Sequence, residues 1–210
     1  STSRGLGDVY KRQGNLLTIH SNNDNDGDYT FSGNIYVDGS NPTDLTIQKT
    51  GTGEQSLTGN INALDSDSTE SGFLNVAEGT LTLNPASGKT QVVEFLTGAG
   101  TLKLDNSGRS DQSIDLGFAN TAEKKTFSGA LTLSGSGTNT VNVGGSDGSF
   151  ADFDAHQEFS GAISGSANLK RTGSGKLTLT GNSGSFGGGV TVADGGGTFD
   201  GGIVVANHAN

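Results

Sequence analysis

The chain has 210 residues, of which 36 are Gly and 2 are Pro, and it contains no Cys, Met or Trp. It carries 22 acidic and 12 basic residues, and the resulting formal net charge of -10 argues against nucleic acid or anionic membrane as a partner. No disulfide can form, no stretch approaches the roughly 20 apolar residues of a membrane helix, and the lack of Met predicts a processed product or a fragment.

The first thirteen residues differ in composition from the rest of the chain. Arg4, Lys11 and Arg12 are three of the 12 basic residues, and the segment is similar to translated adaptor sequence. We interpret residues 1–13 as a non-native or disordered segment, with a genuine basic arm as the alternative. Residues 14–210 are predicted to form one continuous unit without a domain boundary.

From residue 14 onward, apolar residues recur in pairs at i and i+2 between turns rich in Gly, Asn and Ser. Alternation with period two places both members of a pair on one face of a strand, which indicates an ordered all-β chain. Residues 21–28 and 64–71 interrupt this pattern and are predicted to be loops. The predicted strands are 15–20, 29–37, 44–49, 72–77, 80–84, 91–96, 101–105, 113–116, 126–134, 139–143, 158–163, 176–180, 190–193 and 198–206.

Two phrases of the sequence repeat. Leu45–Asn60 returns later in the chain, in slightly shorter form, as Leu169–Asn182. Self-similarity of this kind is typical of stacked repeats, in which each unit buries its apolar face against its neighbours. A second phrase, Phe-Ser-Gly before an alternating strand, begins at Phe31, Phe127 and Phe159, and more loosely at Phe186.

These repeats predict a single-stranded right-handed parallel β-helix, a solenoid of roughly seven to nine coils with about 20 to 30 residues per coil. Gly and Asn at the turns suit the tight bends between its sheets. An antiparallel sandwich is the alternative, because regularly spaced short strands suit that fold too.

The second copy of the long phrase resembles a known family. Its pattern is similar to the autotransporter-associated β-strand repeat of bacterial type V secretion passengers, and the first copy fits with Gln55 and Ser56 in place of a strand Leu. The matching residues are Leu169, Arg171, Gly173, Gly175, Leu177, Leu179, Gly181, Asn182, Phe186, Gly188, Val190, Val192 and Gly195.

The resemblance implies a non-catalytic β-helical stem of a surface passenger at the bacterial cell surface or outer membrane, outside the cell. Its expected partners are a C-terminal outer-membrane β-barrel of the parent chain and, through adhesion, glycans or proteins of a host or neighbouring cell. Coils that fold outside the membrane would assist translocation. A polysaccharide-degrading β-helix enzyme is the alternative, and a trimeric fibre shaft is a third interpretation.

One segment could carry chemistry. If residues 152–159 form a strand, Asp152, Asp154, His156 and Glu158 share one face, opposite the face that holds Phe159. Such a group could bind a metal or perform acid–base chemistry on a polysaccharide. A solvated polar strand face is the favoured interpretation.

Three other motifs do not support a site. Asn22–Asp28 resembles the start of a calcium loop, but Gly33 stands where an EF-hand needs Glu, so a solvated turn is favoured. Gly144–Ser149 has the wrong residue order for the nucleophile of a serine-protease passenger. The step from Gly173 to Gly175 precedes no helix that could bind phosphate. We therefore predict no catalytic, cofactor-binding or metal-binding residue and no cofactor.

Overall fold

A computed structural model describes residues 9–13, 16–22, 29–36, 45–62, 73–93, 95–106, 113–116, 124–142, 156–172, 175–193 and 203–206. All regular structure in these ranges is β-strand. In chain order the strands are β1 (Val9–Gln13), β2 (Leu16–His20), β3 (Tyr29–Phe31), β4 (Ile35–Tyr36), β5 (Thr46–Thr50), β6 (Glu54–Leu57), β7 (Ile61–Asn62), β8 (Phe73–Val76), β9 (Thr80–Leu83), β10 (Thr90–Val93), β11 (Phe95–Gly98), β12 (Thr101–Asn106), β13 (Ser113–Leu116), β14 (Lys124–Phe127), β15 (Leu131–Gly135), β16 (Thr138–Asn142), β17 (His156–Phe159), β18 (Ile163–Gly165), β19 (Asn168–Thr172), β20 (Lys176–Leu179), β21 (Ser185–Phe186), β22 (Val190–Val192) and β23 (Ile203–Ala206).

The strands form three parallel sheets that the chain visits in strict rotation. The first sheet has the order β1-β2-β5-β8-β11-β14-β17-β20-β23, the second β3-β6-β9-β12-β15-β18-β21, and the third β4-β7-β10-β13-β16-β19-β22. Each coil therefore contributes one strand to each sheet, as in a parallel β-helix. From β2 to β22 the described strands complete seven coils, and β23 begins an eighth, so the predicted fold and coil number are confirmed. The right-handed sense stays a prediction.

One strand runs against the others. β1 pairs antiparallel with β2, and Val9 lies opposite His20. This strand lies within residues 1–13, the segment whose composition differs from the rest of the chain. Whether that segment is native to the chain stays a prediction. In the structure, β1 occupies the outer edge of the first sheet, where an unpaired edge would otherwise be open to other chains.

Aliphatic side chains stack along the axis to form the core. Each inward residue lies in register with an inward residue of the next coil, and burying one Leu contributes on the order of 1.5–3 kcal/mol. The second sheet supplies two such ladders, Leu81–Leu102–Leu131 and Leu83–Leu104–Leu133, all at most 1% exposed.

Some of the strand predictions were wrong, and most of the predicted strands that are in fact two strands divide at a glycine corner. The predicted strands 29–37, 91–96, 126–134 and 158–163 are each two strands in different sheets, and β1, β6, β7, β19 and β21 were not predicted. In three of the four split strands, the chain turns at the Gly of the Phe-Ser-Gly step. A Cβ on Gly161, for example, would meet the carbonyl oxygen of Gly129 in the coil below. The corners therefore stack so closely that a side chain does not fit there.

Lys49, a cation, lies in the core ladder of the first sheet, in register with Ile19 and Val76. It is fully buried, and its Nζ donates hydrogen bonds to the carbonyls of Thr50 at 2.7 Å and Gly51 at 2.8 Å. The Thr50 carbonyl also accepts from the Ser21 N–H at 3.2 Å, and a buried acceptor without a donor is costly. Lys49 therefore satisfies the bend that follows β5.

Arg171, a second buried cation, has the same role in the third sheet. It is 1% exposed, and one of its terminal nitrogens donates to the carbonyl of Gly175 in the bend before β20. Burial lowers the pKa of the Arg171 guanidinium below its usual value.

The first sheet is locally open between β11 and β14, which pair only at Gly98 and Phe127. The buried side chain of Gln157, one strand further on, fills this gap. Its amide donates to the Leu96 carbonyl at 3.0 Å and accepts from the Leu96 N–H at 3.2 Å. A side-chain amide thus replaces strand pairing at this point.

Candidate functional site

A group of polar and charged side chains lies on the outer face of the first sheet, across β14, β17 and β20. We call it the charged ladder, and its rungs are two rows of residues in register along the axis. The rows are Lys124–His156–Lys176 and Thr126–Glu158–Thr178.

The alternation of each strand produces the ladder. Phe127 and Phe159 lie inward at the ends of β14 and β17, at most 1% exposed, with their rings edge to face at a centroid distance of 6.4 Å. Because successive residues point to opposite faces, the residues one and three positions earlier point outward. Packing of the two aromatic rings therefore fixes which side chains form the ladder.

Glu158 is the most highly bonded member. Its carboxylate forms a salt bridge with Lys124 Nζ at 2.5 Å and accepts hydrogen bonds from the hydroxyls of Thr180 at 3.0 Å and Thr126 at 3.4 Å. The Lys124 hydrogen bond, helped by the two hydroxyls, holds the pKa of Glu158 below its usual value despite partial burial. Glu158 is therefore ionised at neutral pH.

His156 lies between two lysines. Its Nε2 is 2.7 Å from Thr178 Oγ1. Partial burial and the positive charges of Lys176 and Lys124 lower the pKa of His156, an effect that the Glu158 carboxylate opposes. The imidazole is therefore neutral at neutral pH.

Lys176 differs from Lys124 in its partners. Among the described residues, Lys124 has the Glu158 carboxylate as its ion-pair partner, whereas Lys176 forms no ion pair. With Glu158 ionised and His156 neutral, the ladder carries one net positive charge on a chain whose formal net charge is -10. Its local charge is opposite to that of the chain.

The structure brings together part of the predicted group. His156 and Glu158 share the outward face and Phe159 lies inward, as predicted. Asp152 and Asp154 lie outside the described residues. Within the described residues, no group of three or more His, Asp and Glu side chains could hold a metal ion.

The other sequence motifs are only partly described. Residues 23–28 of the calcium-like loop lie outside the described residues, as does all of Gly144–Ser149. Gly173 is outside them too, whereas Gly175 accepts the Arg171 hydrogen bond and has a structural role.

The sequence alone did not identify Lys124 and Lys176 as neighbours of His156. Both lysines are distant from it along the chain, because one lies in the preceding coil and the other in the following coil. A signal for Lys124 was present, since it stands at the same position before Phe127-Ser-Gly as His156 does before Phe159-Ser-Gly. Aligning those two phrases is enough to place Lys124 beside His156.

A smaller group lies on the second sheet. Glu54 forms a salt bridge with Lys103 Nζ at 2.8 Å and accepts a hydrogen bond from Thr82 at 3.0 Å. Burial raises the pKa of Glu54, but the hydrogen bonds from Lys103 and Thr82 outweigh it, so the pKa lies below its usual value. This group has no His and no second Lys.

Comparison with known proteins found no matching family model, no matching curated protein and no matching solved structure. In the part of the chain that the structure describes, no helix has the length and apolar character needed to cross a membrane.

The arrangement of the charged ladder suits ionic and hydrogen-bonded contact with a ligand that lies flat along the rod. Two ammonium groups flank an imidazole, and threonine hydroxyls lie beside the single carboxylate. The side chains come from three consecutive coils, so a ligand must extend along the axis to contact all of them.

Proposed function

We propose that the chain is a non-catalytic β-helical stem of a bacterial autotransporter passenger, which supports translocation across the outer membrane and presents adhesive surface outside the cell. The observation that carries this proposal is the register of like side chains from coil to coil. Each coil buries its apolar residues mainly against the coils on either side, so the core can form one coil at a time.

Sequential folding gives translocation a direction. A coil that has folded outside the membrane has buried several aliphatic side chains, each contributing about 1.5–3 kcal/mol. The entropy of ordering the coil offsets part of this gain. What remains opposes backward movement of the chain, without a need for ATP.

Surface display tests this proposal. The chain is fused to an outer-membrane barrel translocator, and the exposed fraction is followed by protease accessibility on intact cells. Replacing both Leu177 and Leu179 by Asp is expected to slow display, because Leu177 is fully buried and Leu179 packs against the core. Ser166→Asp, at an exposed corner, is the control. Undiminished display of the double variant would contradict the proposal.

A second candidate is a polysaccharide-degrading enzyme, favoured by one observation. Glu158, His156 and two lysines lie together on adjacent coils of one outer sheet, as acid–base chemistry on an acidic glycan requires. Incubating the purified chain with polygalacturonate and measuring new chain ends separates the two. The stem proposal predicts none. Chain ends that form with the wild type and not with His156→Gln would favour the enzyme.

A further inference from the structure

We propose that the charged ladder binds carboxylate-bearing polysaccharide, with the glycan lying along the axis of the rod across Lys124, His156 and Lys176. This inference deepens the adhesive part of the proposed function and rests on it. It names the class of partner and the face that meets it.

The geometry favours an extended ligand with a regular repeat. The three side chains come from strands in register, so they repeat at the strand spacing of about 4.8 Å, and Lys124 and Lys176 lie about 10 Å apart along the axis. A polysaccharide chain presents carboxylates and hydroxyl groups in a regular row, and the flat outer face of a parallel sheet offers it a straight track.

The charges favour an anionic ligand. Lys176 forms no ion pair among the described residues, so it can contact a ligand carboxylate without first breaking a salt bridge. Lys124 already neutralises Glu158, and that pair remains in place when the ligand binds. The main attraction therefore comes from Lys176, with Lys124 as the second contact.

The overall charge of the chain favours a carboxylate-bearing glycan over DNA as the anionic ligand. Duplex DNA carries one charge per roughly 1.7 Å, and its binding needs many phosphate contacts. Two lysines on a chain of net charge -10 cannot supply them. A glycan with one carboxylate per sugar has a lower charge density, which a short basic row can match. The exposed hydroxyl of Thr126 gives a further hydrogen-bond partner to the sugar.

Binding of polygalacturonate oligomers to the purified chain at low salt, measured by calorimetry, tests the proposal. We expect Lys176→Gln to weaken binding about tenfold, the effect of losing one charge-assisted hydrogen bond. Lys124→Gln should also weaken binding, because it removes the second lysine contact and leaves the Glu158 carboxylate unpaired beside an anionic ligand. Lys176→Arg should retain binding, since it keeps the positive charge.

The control is Lys103→Gln, which removes a lysine from the second sheet, away from the ladder. The expected result is wild-type affinity for this variant, weaker binding of every active form at higher salt, and no binding of a neutral glucan. An equal loss of affinity in Lys103→Gln and Lys176→Gln overturns the proposal, and so does wild-type affinity in Lys176→Gln. Failure of the wild type to bind polygalacturonate overturns it too. Preference for a sulfated glycan over polygalacturonate would overturn the carboxylate assignment.

The glycan-binding proposal and the translocation proposal can be refuted independently of each other. Binding is measured on purified chain in solution, so it does not depend on export. Normal display with no glycan binding refutes this inference alone. Glycan binding with display unaffected by the Leu177 and Leu179 changes refutes the translocation role alone.

Discussion

The two copies of the long phrase occupy different faces of the solenoid. The first copy runs through β5 and β6, from the first sheet to the second, whereas the second runs through β19 and β20, from the third sheet to the first. The copies align without a gap when Lys49 is set against Arg171. The repeated unit is therefore a strand, a bend, a strand and a glycine corner, and it is not tied to one position in the coil.

The same alignment separates the positions that are shared from those that differ. The buried cation and the corner glycine are kept, as Lys49 with Arg171 and Gly59 with Gly181. The outward position after the bend changes from Glu54 to Lys176. The buried cation and the corner glycine are thus common to the two copies, although the inward position after the bend differs, with Gln55 in the first copy and Leu177 in the second. The outer face is free to acquire a function.

Substitution of the corner glycines should give the largest loss of stability. A Cβ on Gly59 would meet the carbonyl oxygen of Gly33, and a Cβ on Gly181 would meet that of Gly161. Backbone cannot yield cheaply, so we expect Gly59→Ala and Gly181→Ala each to lower the free energy of unfolding by about 3 kcal/mol. Urea denaturation measures this.

The control for these variants is Gly187→Ala, where the nearest atom to the new Cβ would be 3.9 Å away. Its free energy of unfolding should change by less than about 0.5 kcal/mol. If only one of the two corner variants is destabilised, the corners on different faces are not equivalent, and the shared unit is wrong.

Replacement of the buried cations Lys49 and Arg171 should give the next largest losses of stability, and the two losses should differ. Lys49 Nζ reaches the Glu78 carbonyl at 3.5 Å in addition to the carbonyls of Thr50 and Gly51. Arg171 donates to the carbonyl of Gly175, and its Nε has no partner among the described residues. Since each unsatisfied buried acceptor costs about 1–3 kcal/mol, Lys49→Met should destabilise the chain by about 2–3 kcal/mol.

Arg171→Met should cost about 1 kcal/mol, because fewer carbonyls lose a donor than in Lys49→Met. Removal of a desolvated charge is common to both variants. Thermal and urea unfolding of both variants give the ranking. An Arg171 variant that is less stable than the Lys49 variant would show that the number of satisfied carbonyls does not control the role of these cations.

Exchanging the inward residue after the bend tests how far the copies are interchangeable. Gln55 is fully buried and donates to the carbonyls of Tyr29 and Ser56, both at 3.0 Å, whereas the equivalent Leu177 is a buried member of the apolar core. We expect Leu177→Gln to cost about 2 kcal/mol, because the new amide is buried without a prepared partner. Gln55→Leu should cost about 1 kcal/mol, since added apolar burial offsets the lost hydrogen bonds. Equal losses would mean that the surroundings of Gln55 are not specialised for an amide.

The repeated phrases explain how much could be predicted from the sequence. Period-two alternation identified most strands, and the recurrence of Leu45–Asn60 predicted coils stacked on one another. The corner within 126–134 was missed because Leu131 follows Phe127 at an even spacing, and the period-two alternation therefore predicts one continuous strand. Only the stacking of Gly129 on Gly100 shows that the chain turns there.

The charged ladder was only half predicted, for a related reason. Alternation within one strand placed His156 and Glu158 on a common face. Lys124 and Lys176 come from other coils, and the coils differ in length. Phe127 lies in register with Phe159, and Phe159 with Leu179, so the first of these two coils is the longer. A fixed repeat length could not have brought both lysines to His156.

Acid titration compares the outward carboxylates of the two regions. Glu158 and Glu54 both have pKa values below the usual 4.5 in the folded chain. Each therefore contributes stability that is present above about pH 4.5 and is lost as the pH falls through its folded pKa. Glu158 accepts from Lys124 and two hydroxyls, whereas Glu54 has Lys103 and one hydroxyl against an opposing burial effect.

We therefore expect Glu158→Gln to remove more of the acid dependence of stability than Glu54→Gln does. The measurement is the free energy of unfolding at about pH 7 and about pH 3 for the wild type and both variants. The opposite ranking would show that the salt bridge on the second sheet is the stronger of the two.

The smallest effect should come from giving the first copy the outward residue of the second. Glu54→Lys removes the salt bridge to Lys103 and places two positive charges together. Both side chains of that pair are substantially exposed, at 40% for Lys103 and 33% for Glu54, so solvent screens the interaction and the cost should stay below about 1 kcal/mol. Stability close to wild type, measured by urea denaturation, would confirm that this outward position tolerates substitution, in contrast to the corner glycine and the buried cation. A loss as large as that of Gly59→Ala would contradict that division, because the outer face would then be part of what holds the coils together.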